Sequence, residues 1–265
     1  MDILSNITEA QLAVIYFLNK CTKVDVSMRY KGVWSIDKKT GLVDIDGDFI
    51  CKNEGLKDLK GVQFGVVTGA FDCSGNELTS LEGAPQKVGH FHCHDNKLTS
   101  LVGAPQEVGG DFRCSNNKLT SLEGAPQEVG GRFDCSYNNL TSLGGAPQEV
   151  RYFDCSYNKL TSLEGAPQNV KENFNCRHNQ LTSLEGAPQK VGLHMFFDNN
   201  PISEETLQLV WMTMQEKKID YWMALCLLKR KIDSKDWNML SKEIDDRIDN
   251  ETQRGAVMLS RFGII

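Results

Sequence analysis

Seven cysteines recur along the chain at nearly constant spacing. Cys51, Cys73, Cys93, Cys114, Cys135, Cys155 and Cys176 are separated by 22, 20, 21, 21, 20 and 21 residues. A period of that length is the signature of stacked repeats. Disulfide frameworks and metal sites bring cysteines together in close pairs, whereas here each stands alone in its own unit. The spacing therefore predicts that every Cys fills the same place in successive coils, as a small buried hydrophobe with a reduced thiol.

Written around the Cys, the unit reads Phe-x-Cys-Ser-x-Asn-x-Leu-Thr-Ser-Leu-x-Gly-Ala-Pro-Gln-x-Val-Gly-Gly, and Phe112 to Gly131 is its clearest copy. Six full copies run from about residue 71 to 194. A degenerate one precedes them (Phe49, Cys51, Leu56, Leu59, Gly61), and in a closing half copy Met195 and Phe197 take the Phe and Cys places. Phe-x-Cys has period two, so both side chains point to one face of a short strand. The Asn three places after each Cys ends the strand, and its amide can bond its own turn and the next coil. The two Leu and the Val return to the core, and Gly-Ala-Pro supplies the bend. One coil cannot bury its apolar edge alone, so the coils must stack into a curved solenoid.

This unit resembles a leucine-rich repeat with Cys at one core position. Its Asn-x-Leu-Thr-Ser-Leu segment is most similar to the short repeats of bacterial effector proteins and of tailed bacteriophages. The resemblance covers roughly half the chain and implies an α+β fold, a leucine-rich-repeat β-solenoid of parallel strands. It also implies a binding scaffold, a role such repeats fill for many partners. Some effectors of this kind append a ubiquitin-ligase domain with a Cys-x-Asp motif. Here the C-terminal cysteine reads Cys226-Leu227-Leu228, so that activity is not carried over.

A solenoid needs capping at both ends. Residues 8–20 read as an amphipathic helix with Thr8 as N-cap. Lys31 to Asp37 and Leu42 to Asp46 read as a β-hairpin, with Trp34 expected to cover the first coil. After Pro201 the pattern turns helical and carries Trp211, Trp222 and Trp237. The expected organisation is an N-terminal cap over 1–48, repeats over 49–202 and a C-terminal helical domain over 203–265. Those last helices are also where homo-oligomerisation is expected.

The chain carries 29 Lys and Arg against 35 Asp and Glu, a net charge of −6. That balance argues against direct nucleic-acid binding, which draws its affinity from neutralised phosphates. The first residues hold no basic, apolar leader, and the stretch Leu12 to Leu18 is too short to span a bilayer. The expectation is a cytoplasmic protein with no membrane contact and no cofactor. No Walker loop, Gly-x-Gly-x-x-Gly, His-Glu-x-x-His or Gly-x-Ser-x-Gly motif is present.

One cluster stands out, His90-Phe91-His92-Cys93-His94-Asp95. With Phe91 and Cys93 inward, His90, His92 and His94 project from the outer face, where alternate imidazoles can share a metal ion. Asp72 and Arg113 flank His92 on adjacent coils. A metal-dependent enzyme is thus one alternative, and the expectation is no stoichiometric metal.

The same alternation lists an exposed, concave strand face. One place before the Cys stand Asp72, His92, Arg113, Asp134, Asp154 and Asn175; three before, Ala70, His90, Asp111, Arg132, Tyr152 and Asn173. Two places after stand Gly75, Asp95, Asn116, Tyr137, Tyr157 and His178. These positions vary between copies while core positions barely do, as on a scaffold with a customised face. The expected partner is another protein. The contact residues are Asp72, His92, Asp111, Arg113, Arg132, Asp134, Tyr137, Tyr152, Asp154 and Tyr157, with Tyr and Arg as hot spots. An acidic decoy of a nucleic-acid-binding protein, built on Asp72, Asp111, Asp134 and Asp154, is the second alternative.

Overall fold

The alternation at Phe-x-Cys builds one row of short parallel strands, and this row carries the molecule. The structure is a computed structural model describing residues 9–23 and 33–202. Its first elements are α1 (Glu9–Cys21), β1 (Thr22–Lys23), β2 (Val33–Ile36), β3 (Val43–Asp46), β4 (Asp48–Ile50), β5 (Phe64–Asp72) and β6 (Lys87–His92). Past β6 each coil adds a two- or three-residue strand at its Phe, from Phe112–Arg113 to Met195–Phe196. These pair in parallel and in register, so Phe49, Phe71, Phe91, Phe112, Phe133, Phe153, Phe174 and Met195 stand side by side.

The seven Phe rings form a continuous stack. Successive centroids lie 5.2 to 5.6 Å apart with interplanar angles from 24° down to 6°. Every one of these rings is fully buried, as are the seven ladder cysteines. The Leu pairs close the far side: Leu78 to Leu181 are inaccessible, and the Val that follows each bend is buried from Val88 to Val170 and half-buried at Val191. The bend is made by Gly83, Gly103, Gly124, Gly145, Gly165 and Gly186, whose φ angles of 80 to 92° suit glycine. A Cβ on Gly124 would also lie 2.6 Å from the Val102 nitrogen of the coil before.

The conserved-register Asn residues lock coil to coil, in the opposite direction to that expected. Asn117 accepts a hydrogen bond from Leu98 N at 2.9 Å and donates to Cys93 O at 3.0 Å, both on the preceding coil. It also donates to Cys114 O and Ser115 O of its own turn. Asn76, Asn96, Asn138, Asn158, Asn179 and Asn200 do the same. The turn leaving each strand faces the coil already laid down, so the amide fills vacancies behind it.

A second row runs where each coil re-enters the strand side. It joins β3, β5, β6, Glu107–Val108 and Glu128–Val129, and continues as a separate sheet through Glu149–Val150, Asn169–Val170 and Lys190–Val191.

At the N-terminal end the hairpin forms as expected, β2 against β3, with Asp37 Oδ1 accepting from Lys39 N and Thr40 N at 2.8 Å. Its second strand also pairs with β5, so it belongs to the solenoid as well as to the cap. Phe17, rather than Trp34, covers the first coil, its ring edge-on to Phe49 at 5.5 Å with Leu18 and Cys21 buried beside it. Trp34 is half-buried at the flank and donates to Asn19. The short antiparallel β1 pairs with β4 and closes that edge of the row. Thr8, the segment expected to form C-terminal helices with its Trp residues, and Cys226 lie outside the described residues. Among the described residues no helix is long and apolar enough to cross a membrane.

Burial pushes the thiols of all seven ladder cysteines well up, and that of Cys21 to about 11. The thiolate is the reactive form. Thiol reagents at pH 8 should therefore leave these eight unlabelled in native protein and modify them rapidly in denaturant. Fast native labelling of several would contradict the register.

Candidate functional site

The ten expected contact residues sort into three groups. Asp72, Asp134 and Asp154 point to the outer side of the row as alternation requires, yet they are only 8%, 8% and 5% exposed. Each belongs to an Asp-Cys-Ser triplet. Asp134 Oδ1 accepts from Ser136 N at 3.1 Å and Ser136 Oγ at 2.6 Å, and the other two triplets repeat this bond pair. These carboxylates cap the strand ends and are not the open acids expected. The triplet recurs three times in the sequence and was the available signal.

Arg132 ties the centre together. Its guanidinium lies 3.0 Å from Asp134 and 2.9 Å from Asp154 and sits 4.5 Å over the Tyr152 ring. Tyr152 OH donates to Asp154 at 3.4 Å. Burial first, then Asp154, holds the Tyr152 phenol above its ordinary value. One coil earlier Arg113 pairs with Asp111 at 2.8 Å, and Asp111 also accepts from Arg132 N. Partial burial pushes Asp111 up, but the Arg132 N–H and the Arg113 guanidinium outweigh it and leave the carboxyl below its ordinary value. Of the four acids proposed for a decoy, three are buried and the fourth is paired, so little free negative charge is displayed.

His90, His92 and His94 occupy the outer side in sequence, with ring centroids 6.3 and 6.1 Å apart. His90 is exposed and its Nδ1 accepts from Asp111 N at 3.0 Å. His92 lies between Asp72 and Arg113, as expected from the repeat. Desolvation lowers its affinity for a proton, helped by Arg113 and the flanking His residues and opposed by Asp72. Among the described residues no group of three or more His, Cys, Asp or Glu is placed to hold a metal ion.

The third group lies beyond the strand. The position two places after each Cys is in the left-handed region in every coil: Asn53, Gly75, Asp95, Asn116, Tyr137, Tyr157, His178 and Asn199 have φ between 52 and 66°. Gly, Asn, Asp and, to a lesser degree, His take that conformation, whereas a bulky side chain such as Tyr there costs about 1–2 kcal/mol. Three successive coils nonetheless place rings there. Tyr137 stacks on Tyr157 at 4.2 Å and 9°, and Tyr157 on His178 at 4.0 Å and 14°. Asn199 bonds the His178 ring at 3.0 Å, and Asn116 bonds Asp95 at the other end. The hydrogen bond with Tyr157 holds the Tyr137 phenol above its ordinary value. Tyr137 and Tyr157 remain 53% and 41% exposed, which makes them the most open aromatic pair on the solenoid among the described residues. His178 was counted at this register but left out of the expected contact residues; the clue was a ring following two others at a register otherwise held by Asn, Asp and Gly.

No protein-family model matches the sequence, and no curated protein matches it. Among solved structures, YopM from Yersinia enterocolitica WA-314 superposes with a TM-score of 0.46 at 20% sequence identity, covering 58% of this chain and 38% of that chain. The overlap spans well under half of that protein's length. The fold is established by the coils themselves: a roughly 21-residue period, in-register parallel strands, a Leu-lined far wall and an Asn ladder. The described repeats form a leucine-rich-repeat solenoid of the short type.

Proposed function

We propose that this protein is a non-enzymatic scaffold that binds another protein through its strand side, with the stacked Tyr137–Tyr157–His178 row as the anchor. The observation that carries this reading is the row itself. Two tyrosines are held against backbone preference on an open edge, with the His178 ring stacked on them, and residues kept in unfavourable backbone regions cluster at functional sites. Rigid, half-open Tyr side chains are favoured anchors at protein interfaces. Beside them, His92, Asp111, Arg113, Arg132 and Tyr152 form the polar rim. Asp72, Asp134 and Asp154 serve by holding Arg132 and the strand ends in place. The likeness of the repeat to those of bacteria and phages supports a target in a bacterial or host cytoplasm, such as a host defence protein that the scaffold inhibits.

The test uses substitutions that this chain already makes at the same register. Tyr157→Asn and Tyr137→Asn keep a residue suited to the left-handed turn, so the fold should survive. Each is expected to weaken partner binding about tenfold or more, measured by titration against the captured partner. Thr141→Ala on the far wall should leave affinity unchanged. Arg132→Ala is a poorer probe, because it also strips two buried carboxylates of their cation.

A further inference from the structure

A second surface lies outside this face. Along the re-entry row, the residue following each buried Val is Thr68, Gly89, Gly109, Gly130, Arg151 and Lys171 in successive coils. Three glycines in a row cut a groove of about 820 Å³, bounded by Val66 and Thr68 at one end and by Arg151 and Lys171 at the other. The groove crosses the seam between the two sheets. Two of the glycines are demanded by packing: a Cβ would lie 2.7 Å from the Gly69 oxygen at Gly89, and 2.1 Å from the Gly109 oxygen at Gly130. Gly109 is not so constrained, for a Cβ there meets nothing nearer than 3.8 Å. The opening above it is space the fold does not need.

The charges around the groove are unevenly used. Lys87 pairs with Glu107 at 2.7 Å and Arg151 with Glu172 at 3.1 Å. Glu128, Glu149 and Lys171 are exposed and form no ion pair among the described residues. Val66, at the far end, is 39% exposed. The open groups thus run apolar, then acidic, then basic. The five coil steps from Thr68 to Lys171 span about 24 Å, the length of about seven extended residues.

We infer that this groove binds an extended peptide segment of a partner protein. Its apolar end covers Val66, a lysine or arginine lies over Glu128 and Glu149, and a carboxylate meets Lys171. The site is independent of the ring row, so the two can be tested separately. The probe is a fluorescein-labelled heptapeptide of leucine, alanine, alanine, serine, lysine, alanine and aspartate, compared with the same peptide carrying glutamate for lysine. Anisotropy is read with the full chain in about 50 mM salt, where screening is modest. The lysine peptide should bind at least tenfold more tightly. Gly109→Leu, which fills the groove without changing charge, and the double variant Glu128→Lys/Glu149→Lys should each weaken it tenfold or more. Tyr157→Asn should leave it unchanged.

Equal affinity for the two peptides would overturn the proposal outright, and a lysine preference indifferent to Gly109→Leu in a folded variant would overturn it in favour of general attraction to an acidic chain. If Gly109→Leu does not fold, the double variant decides by comparison with Glu123→Lys/Glu164→Lys, an equal change of net charge at exposed sites outside the groove, which should leave the lysine preference in place. Self-association of the chain, lost in these variants on sedimentation while the peptides fail to bind, would assign the groove to a second copy and equally overturn it.

Discussion

Phe133→Ala is expected to lower the free energy of unfolding by about 3–5 kcal/mol, the range for deleting a buried aromatic ring. Phe133 is inaccessible to solvent, and its ring is stacked between Phe112 at 5.2 Å and Phe153 at 5.4 Å. Its removal opens a gap in the middle of a continuous stack. The backbone cannot collapse into that gap, because the strands on either side are held in register by their ladders. In a solenoid each coil touches only its neighbours, so the loss weakens two interfaces together. Urea unfolding followed by circular dichroism measures it, with the exposed Lys118→Ala as reference. A loss below about 1 kcal/mol would show that the Phe stack does not hold the coils together.

Asn138→Ala is the other large effect, expected at about 2–4 kcal/mol although it removes no apolar core. Asn138 is 8% exposed, accepts from Leu119 N at 3.0 Å, and donates at 3.1 Å to each of Cys114 O, Cys135 O and Ser136 O. Truncation leaves a donor and several acceptors in a buried turn with nothing to replace them. Asn138→Asp separates the two halves of the amide. It keeps the acceptor for Leu119 N but turns a carboxylate toward three carbonyl oxygens, which raises its pKa in the folded state. That variant should therefore gain stability as pH falls toward carboxyl protonation, whereas Asn138→Ala should not. Unfolding midpoints at pH 7 and pH 5 distinguish them, and identical pH responses would remove the amide's donating role.

What the sequence disclosed follows from period. Phe-x-Cys, the paired Leu and the Gly-Ala-Pro bend recur every coil, and identical positions in identical coils must occupy identical environments. This is why the degenerate first copy at Phe49 and the half copy at Met195 could be placed with the rest. The parts that escaped depend on contact between coils rather than on pattern within one. Asn138 could as well have bonded forward as back; only the order of stacking decides it. Asp134 and Asp154 carry charge at alternating outward places, yet Arg132 and the following Ser residues cover them. Trp34 was the larger candidate for covering the first coil, but α1 brings Phe17 over Phe49 instead. Tyr137, Tyr157 and His178 were counted as strand-face residues by simple alternation. They lie three residues past the strand end, in a left-handed turn, and their stacking across three coils is visible only when the coils are superposed.

The central claim, a protein-binding strand side anchored on that aromatic row, is tested most directly by photo-crosslinking. A benzoylphenylalanine replaces Tyr157 in one full-length protein and Thr141 in another, and both are irradiated in lysate of the native host. The account predicts one discrete protein adduct from position 157, lost when Tyr137→Asn is added, and none from position 141. An adduct from 141 alone, or the same adduct from both positions, would contradict it.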